Sequence, residues 1–367
     1  MRIFRLSGSD ILAVESLASL GDPAPGSFAW VSCTREELQV HLGALQATLQ
    51  HWGGAQLVDL HVSDLLNRQL PSHYDYTAQY DVLVFRRLAA SHGSPSASAT
   101  LARAPRGGPP ILRRIDTSPV GFVVLENMLL SVHPDDCTVR DIYADKLLQN
   151  SATDPRAAGA RMPTSPPDLM LRIVNTMVDG FLELRRELNH QLDHWQVELL
   201  NPRTRFNNWG ALLDARLSLH QLDEVCEDQR AAIQDWIEAV KTWPDAATPA
   251  LSRERDLLQV RSRDVLEHIE RVVHHVRRLE QSMETAVQMH FSAQGNRTND
   301  IMRTLTALTA VFLPLNLIAG IFGMNFDAIP LLHSASGFWW AMGAMGLIAA
   351  VLIGLFWRKR YIARTDR

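Results

Sequence analysis

The sequence predicts an α+β domain, then a set of long α-helices, then two transmembrane helices at the C-terminus. Three observations carry this. Up to about residue 150, short apolar runs alternate with turn-forming residues. Between about residues 167 and 300, apolar residues return every three or four positions over unusually long stretches. Beyond residue 300 lie two uncharged apolar runs, each about as long as a bilayer core requires of a helix.

Composition narrows the function classes. The 367 residues suffice for two or three domains. Lys and Arg number 36 against 40 Asp and Glu, a net charge of −4, so there is no global basic signature of nucleic-acid binding. The three cysteines, Cys33, Cys137 and Cys226, lie far apart and make no CxxC pair. They give no framework for disulfides or zinc, and the first 300 residues read as cytosolic and reducing. The opening MRIFRLSGSDILAVESL has charge too early and an apolar stretch too short for a signal peptide.

In the first domain, residues 1–150, FAWVSC, AQLVDLHV, YDVLVFRRL and VGFVVLENMLLSVH read as strands. TREELQVHLGALQATLQ reads as a helix capped by Thr34, with Glu37 in the capping-box position. Ala89 to Pro110, rich in Ser, Ala, Gly and Pro, reads as a flexible insertion, and Gln149 to Pro167, with four prolines, as a linker. His51, His61, His73, His92 and His133 are scattered, and none stands near Cys or a carboxylate at the spacing of a structural metal site. His73 and Asp75, in PSHYDY, read as ordinary loop residues rather than a catalytic pair. No P-loop, dinucleotide fingerprint or nucleophile elbow is present.

Residues 151–250 hold the linker and two long antiparallel helices. The first spans about Pro167 to Leu200, and the second about Asn208 to Trp243, stopped by Pro244. The second carries Asp214, Asp223, Glu224, Glu227, Asp228, Asp235 and Glu238 with few bases: a solvated face, or an acidic surface that attracts cations. Residues 251–300 form a stalk. Val265, Ile269, Val272, Val276, Leu279, Met283 and Ala286 keep a 4, 3, 4, 3, 4, 3 spacing, with charges on the other faces and no proline. Such a helix needs partners along its length, and serves either as a spacer or as a lever into the membrane.

The first span, 301–323, contains LTALTAVFLPLNLIAGIF without a charge; the second, 337–357, is GFWWAMGAMGLIAAVLIGLFW. Trp339, Trp340 and Trp357 sit at the ends of the second, as interfacial aromatics do, and Arg358, Lys359 and Arg360 open a basic tail, 358–367. The positive-inside rule puts that tail, and with two spans the N-terminus, in the cytoplasm. The loop at 324–336 then faces outward. Asn299, Met302, Thr306, Thr309, Leu313, Asn316, Gly320 and Gly323 fall at alternating spacings of three and four. They draw one stripe, rich in polar and small residues, down a helix whose other faces are Leu, Ile, Val, Ala and Phe. Polar groups in a span face a bundle or a water-filled path, so the stripe is either a pore lining or helix-packing glue. Pro314 removes one backbone hydrogen bond mid-span. Two spans cannot enclose a pore, so a conducting path requires a symmetric ring of copies.

TNDIMRTLTALTAVFLPLNLIAGIFGMNF, Thr298 to Phe326, resembles the signature of the CorA family of magnesium and cobalt transporters, whose hallmark is Gly323-Met324-Asn325. The resemblance is specific over this segment and the second span, and elsewhere matches in layout. It implies a homopentamer with a cytoplasmic funnel domain, first spans lining a central pore, and no partners beyond the chain itself and lipid. It places Gly323, Met324 and Asn325 at the external mouth, Asn325 holding a hydrated cation through its water shell, with Asp327 adding external negative charge. Asn299 and Met302 would lie at the inner end, and Leu305 and Leu313 in a hydrophobic gate. In the stalk, RDVLEH resembles a segment that carries an inter-subunit regulatory cation site in some members, with Asp264 as the matched carboxylate. The chain departs from the family at Phe322, usually Tyr, at Asn316, often Thr, and at Leu331, usually acidic.

The resemblance implies transport across the inner (plasma) membrane and no cofactor. The cargo is a divalent cation: Mg²⁺ first, with Co²⁺ and Ni²⁺ of similar hydrated size, because the stripe holds neither Cys nor His. Zn²⁺ transport in the manner of the related ZntB branch is the alternative cargo. A non-conducting membrane scaffold is the alternative of another class.

Overall fold

The computed structural model describes residues 1–8, 10–89, 116–153, 162–200, 209–244, 248–324 and 336–358. The chain forms two compact units, Met1–Glu198 with Thr204–Glu284, and Leu199–Arg203 with Thr285–Arg367.

The first unit is built on a seven-stranded mixed sheet: β1 (Arg2–Ser7), β2 (Asp10–Val14), β3 (Ser27–Thr34), β4 (His73–Tyr76), β5 (Asp81–Leu88), β6 (Thr117–Val124) and β7 (Met128–His133). The order is β2-β1-β3-β7-β6-β5-β4. The β3–β7 pairing is parallel, with Val31 beside Leu130 and Cys33 beside Val132; the other described pairings run antiparallel. Both faces are covered, which is why FAWVSC and VGFVV read as continuous apolar runs rather than alternating ones. One face meets α1 (Arg35–Val40), α2 (Leu42–Gly53) and α3 (Asp59–Leu66) through Ala29, Val31, Val84, Val123 and Leu130 against Leu38, Leu45, Leu49 and Leu65. Gly121 leaves room there for the Leu65 side chain, whose Cδ2 would have to shift to admit a Cβ. The other face carries Trp30, which stacks on Phe4 and meets Tyr143 of α4 (Thr138–Thr153) edge-on.

Six local expectations change, two of them simply: His73 and Asp75 sit in strand β4 rather than a loop, and VGFVVLENMLLSVH divides at residues 125–127 into β6 and β7. Residues 55–62 are not a strand: Ala55 to Val58 lead into α3, where Val62 and Leu65 face the core at helical spacing. The opening segment, which the sequence leaves without an assigned element, is a hairpin, β1–β2. The helix after Thr34 breaks at His41 into α1 and α2, although the Thr34–Glu37 capping box forms as expected. The linker is shorter than 149–167, since α4 continues to Thr153 and α5 (Pro166–Leu200) starts at Pro166. The insertion at 89–110 lies, beyond Ala89, outside the described residues, as does His92.

Three long helices follow: α5, α6 (Trp209–Thr242) and α7 (Pro249–Phe322), the last one unbroken over 74 residues. Every member of the stalk stripe, from Val265 to Ala286, is buried. Polar bonds fix the packing: Trp236 Nε1 donates to Ser262 Oγ at 3.0 Å, and Gln196 Nε2 to Ser282 Oγ at 2.5 Å. Arg277 meets Asp223 at 3.1 Å and also pairs with Glu227. The acidic run of α6 is thus partly neutralised: Glu238 pairs with Lys241 at 2.6 Å and Glu224 with His220 at 3.7 Å.

Candidate functional site

The last part of α7 and α8 (Gly337–Arg358) each contain an 18-residue window of mean hydropathy 2.0, with 6% and 0% of it buried. A core helix of that apolarity would be covered by its own protein. These are left open, which suits lipid or a second copy as the missing environment.

The stripe is described from Asn299 to Gly323. Asn299, Met302, Leu305, Thr306, Thr309, Leu313, Asn316, Gly320 and Gly323 are all exposed. The covered side of the same helix is apolar: Ala307 is buried, and Ala310, Val311, Pro314, Leu315 and Ile318 are half-covered. From Met302 to Gly323 the helix rises by about 32 Å, close to the thickness of a bilayer's hydrocarbon core. The stripe therefore runs the full depth of the span, on the face this chain leaves open.

Its polar groups differ in kind. Thr306 Oγ1 donates to Met302 O at 2.8 Å, and Thr309 Oγ1 to Leu305 O at 2.9 Å. Each hydroxyl has spent its one proton on the helix backbone, so only acceptor lone pairs remain to face outward. Such a surface suits a cation or the oxygens' own water, and offers an anion nothing. Asn316, by contrast, makes no hydrogen bond among the described residues. A bare amide at mid-membrane depth is costly without a polar partner.

At its C-terminal end the helix closes with Gly323 N donating to Ala319 O at 2.9 Å and Met324 N to Ile321 O at 3.3 Å. A Cβ on Gly323 would stand 3.0 Å from Ala319 O, a close approach that the turn would have to ease by a few tenths of an ångström. Met324 is exposed. Asn325 and Asp327 lie outside the described residues.

Asp264 is exposed on α7, 3.8 Å from His268 Nε2. Among the described residues no group of three or more His, Cys, Asp or Glu is placed to hold a metal ion within one chain.

Two histidine clusters have no counterpart in the sequence reading. Asp75 pairs with His61 at 3.2 Å rather than with His73, and His61 Nδ1 meets Tyr80 Oη at 2.9 Å. Burial pushes the Asp75 carboxyl up, but the Tyr76 N–H and His61 outweigh it and hold it below the usual range. His133 is fully buried between Cys137 Sγ at 3.2 Å and Ser131 Oγ at 2.9 Å. Burial, with Arg140, Arg87 and Arg35 nearby, drives its pKa well down, while burial drives the Cys137 thiol up. A neutral imidazole beside a protonated thiol is core structure, not an activated nucleophile. No spacing rule links residues 61 and 75 across a helix and a strand, so only the tertiary structure could find that pair.

Comparison with known proteins agrees with this layout. Residues 25–360 match the family described as CorA-like Mg2+ transporter protein. The cobalt/magnesium transport protein CorA of Thermotoga maritima is 24% identical over 251 residues, which is 68% of this chain and 66% of that one. The complete CorA magnesium transporter of Methanocaldococcus jannaschii superposes with a TM-score of 0.71 over 99% of both chains, at 15% identity. The ZntB cytoplasmic domain of Vibrio parahaemolyticus superposes with a TM-score of 0.55, at 12% identity, over 82% of this chain and 98% of that one. The family match spans most of the sequence: the sheet domain from β3 onward and the two apolar helices fall inside it, while the β1–β2 hairpin precedes it. The chain belongs to the CorA-like Mg2+ transporter family.

Proposed function

We propose that this protein conducts divalent cations, Mg²⁺ foremost and Co²⁺ or Ni²⁺ besides, through a homopentameric pore lined by the α7 stripe. The observation that carries the reading is Asn316. It is an exposed mid-span amide with no partner among the described residues, on a face otherwise made of acceptor hydroxyls, small residues and a few apolar ones. Water and a hydrated ion satisfy it; lipid does not.

In this reading both termini are cytoplasmic and the Asn325 ring stands at the external mouth. Mg²⁺ dehydrates reluctantly, and neutral amide oxygens hold its water shell without stripping it. A carboxylate ring would bind too tightly to release, whereas conduction needs sites an ion can leave. The rings of Leu305 and Leu313 close the path by dewetting when they approach. The membrane potential moves a divalent ion inward with about 4.6 kcal/mol per 100 mV.

The test is uptake into proteoliposomes loaded with a Mg²⁺-sensitive dye, beside vesicles with a Zn²⁺ dye, for wild type and Asn325→Ala. Mg²⁺ entry that the substitution abolishes is the expected result. Zn²⁺ entry alone, driven by a pH gradient, moves the protein to the zinc branch. Silence in both from an intact pentamer leaves a scaffold.

A further inference from the structure

The first unit holds a cleft of about 1150 Å³ that the transport reading does not use. It opens between the β4–β5 and β6–β7 turns on one side and the ends of α5, α6 and α7 on the other. Six carboxylates line it: Asp75, Asp81, Glu126, Asp235, Glu238 and Glu254. Among its described lining residues Arg255 alone is basic, and its guanidinium is already held by the carbonyls of Trp243 and Pro244. The positive end of α5 is likewise occupied, since the Thr164 N–H donates to Asp168 at 3.0 Å. Lys241 offsets Glu238 from the rim, and His61 meets Asp75. The remaining carboxylates leave the cleft with a net negative field.

Four features say what kind of cation fits. The carboxylates come from different places around the walls, and among the described residues no three His, Cys, Asp or Glu converge on a metal-sized point. A directly coordinated Mg²⁺ ion needs grouped oxygens; spread charges suit either a hydrated ion or a ligand whose own charges are spread, and the walls between the charges favour the second. Aromatic faces stand among them: Tyr74 and Tyr76 stack at 6.1 Å, and Trp243 lies edge-on to Trp236 at 5.7 Å. Such faces attract ammonium groups. Between them lie apolar patches from Phe28, Leu251 and Leu258, which would cover methylene segments. Finally, Ser165 Oγ, at the mouth of α5 and lining the same cleft, is buried without a hydrogen-bond partner. A bound N–H donor would supply one.

We propose that this cleft binds an aliphatic polyamine: ammonium groups at the carboxylates and the aromatic faces, methylenes along the apolar wall. Glu126 and Asp235 form no ion pair or hydrogen bond among the described residues and are the natural charge anchors. Glu254 is held by the Thr164 hydroxyl at 3.4 Å, a contact that an ammonium would displace.

The experiment is titration calorimetry of full-length protein in detergent with spermidine, in Mg²⁺-saturated buffer. A parallel titration with Mg²⁺ itself starts from Mg²⁺-free buffer. The comparison variants are Asp235→Asn with Glu254→Gln, and Trp243→Leu alone. Saturable binding to wild type is expected, weakened about tenfold or more by the paired carboxylate change. Trp243→Leu should weaken spermidine several-fold while leaving Mg²⁺ binding unchanged; circular dichroism and the pentamer's elution volume check that each variant is folded. Three results overturn the proposal: no saturable binding by wild type, equal binding by the carboxylate variant, or an unchanged affinity in Trp243→Leu. The last, with Mg²⁺ binding lost in the carboxylate variant, assigns the cleft to the inorganic cation. None of these outcomes depends on whether the α7 stripe conducts, which the vesicle assay reads separately.

Discussion

Replacing Asn316 by Leu separates a pore from a packing seam. The two side chains share the same number and branching of heavy atoms, so the change removes polarity while keeping the branched outline, and Leu adds some bulk. If Asn316 faces water and ions, each passing hydrated cation loses the amides that greet it. Two charge-assisted hydrogen bonds at about 1.5 kcal/mol each come to about 3 kcal/mol on the barrier, or about two orders of magnitude in rate. Assembly should be unharmed or slightly firmer, because a bare amide has left the hydrocarbon layer. If Asn316 is glue between helices, the signs reverse. About 0.6–2 kcal/mol per copy is lost from association, and flux per assembled channel stays near wild type. The assay is Mg²⁺ uptake per assembled oligomer in vesicles, with the assembled fraction read by size-exclusion chromatography at several detergent dilutions. An assembly that falls apart on dilution while its remaining channels conduct normally would refute the pore argument.

Other outcomes follow from the soluble unit. Asp168 is buried, accepts from the Thr164 N–H at 3.0 Å and Arg172 at 3.2 Å, and pairs with Arg261 across to α7. Asp168→Ala leaves Arg172 and Arg261, both part-exposed, without their carboxylate and should cost about 2–4 kcal/mol, lowering the melting midpoint by about 4 °C or more. A loss under about 2 °C, read by scanning calorimetry, would show the cluster to be dispensable. His133 is held well below its ordinary value of 6.5, by burial first and then by Arg140, Arg87 and Arg35. The unfolded chain therefore binds a proton that the folded one refuses, so this group's contribution is full above about pH 6.5 and is lost as pH falls below it. Denaturant midpoints of wild type should fall between about pH 6.5 and 5, with a slope of up to about 1.4 kcal/mol per pH unit from this group. His133→Gln should flatten the profile; an identical slope in both would locate the proton elsewhere.

Much of this molecule is written in local periodicity. A helix positions its side chains by its own pitch, so the spacing of Val265 to Ala286 is enough to name the buried face of the stalk. The same arithmetic draws the membrane stripe, and the structure leaves that face open. A span needs only length and apolarity, and the Thr34–Glu37 cap needs residues only three apart, so these too are legible from neighbours in sequence. What pairs across distance is not. Residues 59–66 are helical because Val62 and Leu65 have a sheet face to bury against, although Leu57 to Val62 alone looks like a strand. The parallel seating of β3 beside β7 brings residues about a hundred positions apart into register, and no local signal encodes it. Tertiary packing alone joins His61 to Asp75 and folds six scattered carboxylates around one cleft. Pitch and apolarity act within a few residues of chain; pairing, burial and electric field depend on what the rest of the chain brings alongside.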